Sequence, residues 1–318
     1  MQQGLKRLRK PASAGLLILA ACLGLAGCVA LPVQELQSQW PAQLPSRALL
    51  SQTPFVAQQE FECGPAALAM LMQAAGLKIE AQQLAPQVFV PGRQGSLQVE
   101  MLVAARRQGL PAYLLAPKLE AVLQEVAAGH PVLVFQNLSL PVYPVWHYAV
   151  LIGYDRERGT VTLHSGTTAA MEMSLSAFER TWARGEHWAM VALAPERLPA
   201  SADAASAGRA VAALERLQPR PAAIAYASAL RRWPGDLLLQ MGAGNSAYAL
   251  GDLAAAETAY RAASQTHPQA ADAWNNLAQV LWEQGKKAAA AQAIAQAILL
   301  GGPRLASYQA LALQIKDD

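Results

Sequence analysis

The sequence predicts two folded units in series: an α+β unit built on an antiparallel sheet, then an all-α array of paired helices. Two observations carry this. Between residues 54 and 196 apolar residues first recur at helical spacing and then give way to short runs rich in Val, Leu and aromatics. Beyond residue 200 alanine dominates and the chain repeats itself every 34 residues.

The first 27 residues stand apart from either unit. Lys6, Arg7, Arg9 and Lys10 form a basic start, residues 12–27 are uncharged and mostly apolar or small, and Leu25-Ala26-Gly27-Cys28 closes the segment. This resembles a bacterial lipoprotein signal, with Cys28 as the lipidated first residue of the mature chain. The resemblance implies the bacterial cell envelope and a lipid anchor. By resemblance to lipoprotein sorting rules, Val29 after Cys28, instead of Asp, implies the periplasmic face of the outer membrane. Of the 25 Lys and Arg, four lie in this signal, leaving 21 against 22 Asp and Glu, a net charge of −1. No basic run suggests nucleic acid. No later run is long and apolar enough to span a bilayer.

Residues 28–53, rich in Pro and Gln, read as a tether. In the α+β unit, residues 54–196, helices are expected at 64–75, 97–108 and 118–128, the last two each followed by the glycine (Gly109, Gly129) that ends helices. Strands follow at 131–135, 147–152, 160–164 and 188–193. Residues 197–206 read as a linker. In 207–318, Gly251 and Gly285, Ala256 and Ala290, and Ala263 and Ala297 are each 34 apart, and Tyr226 and Pro234 precede Tyr260 and Pro268 by the same step. This resembles the tetratricopeptide repeat, with units at 237–270 and 271–304, a degraded one at about 203–236, and a capping helix after them. A protein partner is expected on such an array.

With Cys22 in the signal and Cys28 lipidated, Cys63 is the one thiol of the mature chain, so no disulfide framework is possible. It stands directly before Gly64-Pro65 and a helix. Proline suits a first helical turn, and the free N–H groups there stabilise an anion, which lowers a thiol pKa. A general base must come from another part of the chain. Of the five histidines, His267 lies in the repeats, His130 at a helix-to-strand turn and His187 before the last strand. His147 opens a strand after Leu140-Pro-Val-Tyr-Pro-Val-Trp146, the element-end position from which catalytic groups act.

Gln58, then Cys63-Gly-Pro-Ala66 opening a helix, Gly129-His-Pro-Val-Leu-Val134, and His147-Tyr-Ala-Val-Leu-Ile-Gly153 together resemble the papain-like bacteriocin-processing cysteine peptidases. The likeness is to their stand-alone lipoprotein form with C-terminal tetratricopeptide repeats. It implies a papain-like fold, a peptide or protein substrate, no cofactor, Cys63 as nucleophile and His147 as base. It also implies that the amide of Gln58, or of the adjacent Gln59, holds the oxyanion. The family's third member, an Asp before a Pro on the next strand, is replaced here by His164-Ser165. Asp155 is too far along the histidine strand to substitute, at about 25 Å. Residues 164–167 return beside His147, so His164 is expected to take the Asp's place. Two other readings stand beside this one. One is an inactive binding module of the same fold. The other is a metal site from His147, His164, His187 and Cys63, which the lack of any paired-ligand motif opposes.

Replacing Cys28 by Ser is expected to abolish lipid labelling and leave a larger, uncleaved precursor. Labelling that survives the substitution would refute the lipoprotein reading.

Overall fold

The computed structural model describes residues 31–58 and 62–317, so the signal segment, Cys28 and Gln59 lie outside the described residues. Helices α1 (Leu31–Ser38), α2 (Cys63–Ala74), α3 (Ala81–Val88), α4 (Gln98–Arg107), α5 (Leu119–Ala127) and α6 (Leu175–Ala183) surround one antiparallel sheet. Its strands are β1 (Arg47–Leu49), β4 (Ala112–Leu114), β5 (Val132–Asn137), β6 (Trp146–Asp155), β7 (Thr160–Ser165), β8 (Thr168–Ser174) and β9 (Ala189–Ala192). They run in the order β4-β9-β5-β6-β7-β8, with β1 added to the far end of β6. The small β2 (Phe89–Val90) and β3 (Gly95–Ser96) pair separately.

Alternation along the strands sends side chains to two cores. Leu133, Tyr148, Val150, Ile152 and Met190 pack with α2, α3 and α4. Val132, Val134, Ala149, Leu151, Leu163 and Val191 pack on the opposite face with α5 and α6. Helix α2 is apolar on almost every side, and Ala66 to Met72 are all buried. That burial fixes the helix whose first residue is Cys63.

The repeats follow as α7 (Ala204–Glu215) and α8 (Pro219–Arg232), α9 (Leu237–Ala249) and α10 (Leu253–Thr266), α11 (Ala271–Glu283) and α12 (Lys287–Leu300), then α13 (Leu305–Asp317). The 34-residue period set these pairs correctly. Asp203, Asp236 and Asp252 cap α7, α9 and α10 through their carboxylates. Among the described residues no helix is long and apolar enough to cross a membrane.

Two segments expected to be loose are packed. In the expected tether, Val33 and Leu36 recur at helical spacing and are buried, with Leu44, in the sheet's core, while Arg47, Ala48 and Leu49 pair with Asp155, Tyr154 and Gly153. In the expected linker, the buried Glu125 carboxylate accepts from Ala200 N–H, Ser201 N–H and Ser201 Oγ–H while lying 2.7 Å from His130 Nδ1. Arg232 of α8 donates to the Pro199 and Ala200 carbonyls. Val211, Leu214, Ala222 and Tyr226 then continue the core of the α+β unit. The composition of both segments hid this, because a few apolar residues and one remote carboxylate do the holding.

Glu125→Ala strips a buried carboxylate from four partners. It is expected to lower stability by about 3 kcal/mol in urea unfolding and to open residues 196–203 to proteolysis. A loss below about 1 kcal/mol would show that the apolar contacts alone hold the repeats.

Candidate active site

Cys63 begins α2 at the floor of an open cleft of about 760 Å³. Gln58, Ser96, Leu97, Phe135, Trp146 and His147 are among its walls. Gly64 follows because Ser96 packs directly over it, and a Cβ there would collide with the Ser96 side chain. Pro65 occupies the helix's first turn, where no N–H is needed. The first helical hydrogen bond of this turn runs from Ala66 N–H to the Glu62 carbonyl, leaving the N–H groups of Cys63 and Gly64 free of the helix ladder.

Backbone N–H groups of Tyr148, Gly64 and Cys63 surround the sulfur and favour a thiolate, yet burial outweighs them and the Cys63 pKa moves up. This corrects the expectation of a lowered thiol pKa. The helix start acts in the expected direction, but the apolar packing around α2 removes the water that a charged sulfur needs. Burial pushes the His147 pKa down. The two groups therefore rest as thiol and neutral imidazole, and no hydrogen bond joins them directly.

His147 stands at the second position of β6, opposite Gln136 of β5. Its Nε2 lies 2.9 Å from Ser165 Oγ. His164 does not reach it, which corrects the assignment of His164 as the third member. His164 Nδ1 accepts from Ala170 N–H, its Nε2–H donates to the Thr53 carbonyl, and its ring lies against Phe55. It is a buried fastener between the 50–55 segment and the β7–β8 hairpin. The reason is a bulge. From Asp155↔Thr160 to Gly153↔Thr162 the β6–β7 register would bring His164 opposite Leu151, on the face His147 shares. One extra residue in β6 between Leu151 and Gly153 shifts the register, so Leu163 meets Leu151 and His164 meets Val150 on the other face.

Gln58 lies among the residues that line the cleft. Its side-chain N–H donates to the Tyr148 carbonyl and its backbone N–H to the Gly166 carbonyl, at 3.2 and 3.1 Å. The amide has a second proton to offer the cleft. Asn137 closes the β5–β6 loop, its Oδ1 accepting from Ser139 and Val145 N–H. His130 and His187 are taken by Glu125 and Glu179, outside the cleft. Ser165 was missed, because a serine beside a histidine carries no signal until the register is known. The apolar residues beside the base carry no such signal either: Val145 of the β5–β6 loop and Trp146 at the start of β6 line the cleft and are exposed, and Leu140, Val142 and Tyr143 of the same loop are exposed as well.

Residues 50–190 match the model of the Peptidase_C39-like family. Over those residues the N-terminal unit is similar to C39-like peptidase domains. Residues 241–310 match the tetratricopeptide-repeat model, so the C39-like domain is followed by a tetratricopeptide-repeat region. Among solved structures, one described as a C39-like peptidase from Bacillus anthracis aligns with a TM-score of 0.40 and 19% identity, over 46% of this chain and 97% of its own. No curated protein matches.

The rate of Cys63 alkylation by iodoacetamide is expected to rise with an inflection above the ~8.5 of a free thiol. An inflection well below that value would mean that the backbone N–H groups or His147 overcome burial.

Proposed function

We propose that this chain is a membrane-anchored cysteine peptidase that hydrolyses peptide bonds by a Cys–His mechanism, its repeats recruiting a protein partner or the substrate. The observation that carries this reading is the meeting of Cys63, His147 and Gln58 in one open cleft, with backbone N–H groups around the sulfur.

In this mechanism a peptide enters the cleft and His147 takes the thiol proton as the sulfur attacks the scissile carbonyl. The charge that develops on the carbonyl oxygen is met by the Cys63 N–H and the second Gln58 amide proton, donors already fixed before reaction. The His147 imidazolium then protonates the leaving amine. In the second half His147 removes a proton from water, which splits the thioester and restores the thiol. Because burial lowers the His147 pKa, the base stays neutral at pH 7, and the acid limb of kcat/KM falls below the ~6.5 of a free imidazole.

Lipidation of Cys28 anchors the chain, in this reading, at the periplasmic face of the outer membrane. Two residues separate Cys28 from α1, a reach of about 10 Å. The peptidase domain itself is then held at the bilayer surface, and the repeats project from it toward a partner. A second reading, a binding module with little turnover, is favoured by the raised thiol pKa and by the absence of a carboxylate beside His147 in the described residues.

Comparing envelope proteins from cells carrying wild-type chain or Cys63→Ala tests the two. One or a few proteins are expected to accumulate uncut in the variant, and purified wild-type chain to cleave them. Identical protein profiles, with partners still captured by both forms, would support the binding module instead.

A further inference from the structure

Three consecutive residues, the last two of β7 and the first of the turn after it, hold three different parts of the site. His164 fastens Thr53 and Ala170, Ser165 Oγ meets His147 Nε2 at 2.9 Å, and the Gly166 carbonyl accepts the Gln58 N–H. Ser165 pairs with Thr168 across a two-residue turn. Gly166, with φ +58, takes its first central position, the pattern of a type II′ turn, whose geometry suits glycine. The turn thus fixes the base and the backbone of the oxyanion amide by adjacent residues.

A histidine base works only in the tautomer that aims a lone pair at the nucleophile's proton. One His147 nitrogen is engaged by Ser165, and Nδ1 is the other. We propose that Ser165 is the positioning residue of this site, its Oγ accepting from His147 Nε2–H and so leaving the Nδ1 lone pair for the Cys63 thiol. The assignment rests on the peptidase reading above. A hydroxyl orients the ring as a carboxylate does, but it adds no negative charge to stabilise the imidazolium. The site is therefore aligned without being electrostatically primed.

Alkylation of Cys63 by iodoacetamide in the full chain tests this without requiring turnover. Ser165→Ala is expected to slow the reaction at pH 7 roughly tenfold and Ser165→Thr to retain the wild-type rate. Ser165→Asp is expected to raise the rate and move the inflection to lower pH, because a carboxylate favours the imidazolium–thiolate pair. Thermal unfolding of each variant confirms that the fold is kept, and the conservative Thr separates orientation from packing. If His147→Ala slows alkylation while Ser165→Ala matches wild type in rate and pH profile, the assignment of Ser165 is overturned and the Cys–His pair stands. If His147→Ala also leaves the rate unchanged, the pair itself is overturned.

Discussion

One extra residue in β6, between Leu151 and Gly153, decides what His147 can touch. The register of the β6–β7 ladder shifts there, and every side chain beyond it changes partner. Tyr154, after the bulge, shares a core with Ala149 and Leu151 before it, although unbroken alternation would put it on the other face. The same shift takes His164 out of reach of His147 and brings Ser165 to it. Gln58 then docks on the turn that follows. The site is consequently a property of sheet register more than of any loop.

Burial sets the electrical state of the pair. Helix α2 is packed on nearly all sides, which anchors Cys63 but leaves its sulfur poorly hydrated, and the His147 ring is desolvated in the same way. Both shifts oppose charge, so a resting thiolate–imidazolium pair is disfavoured. The backbone N–H groups of Tyr148, Gly64 and Cys63 contribute where charge passes through sulfur during attack. The neutral Ser165 suits such an environment, because no unpaired carboxylate has to be buried behind the base.

The parts of the fold with strong periodicity were legible from the chain alone: the all-apolar α2, the strands around His147 and the 34-residue repeats whose helices fall where Tyr226/Tyr260 and Gly251/Gly285 predict. Cys63, His147 and Gln58 were legible because sequence-local features mark them. Elements of two or three residues, such as β1, β2 and β3, were not, since their pairing is decided by distant partners. Neither was the docking of residues 31–53 and 197–206, where Val33, Leu36 and the partners of Glu125 act through tertiary contact. The choice of His164 over Ser165 failed for the same reason. A bulge leaves no mark in local composition, and one residue of register exchanges the two faces of a strand.

The arrangement around His147 is most directly read from nitrogen-15 NMR of the chain labelled at its five histidines, with His147→Gln used for assignment. At pH 7 His147 is expected to be neutral, with the proton on Nε2, facing Ser165, and an unprotonated Nδ1 that responds when Cys63 is alkylated. A proton on Nδ1, or an imidazolium at that pH, would contradict both the orientation by Ser165 and the neutral resting pair.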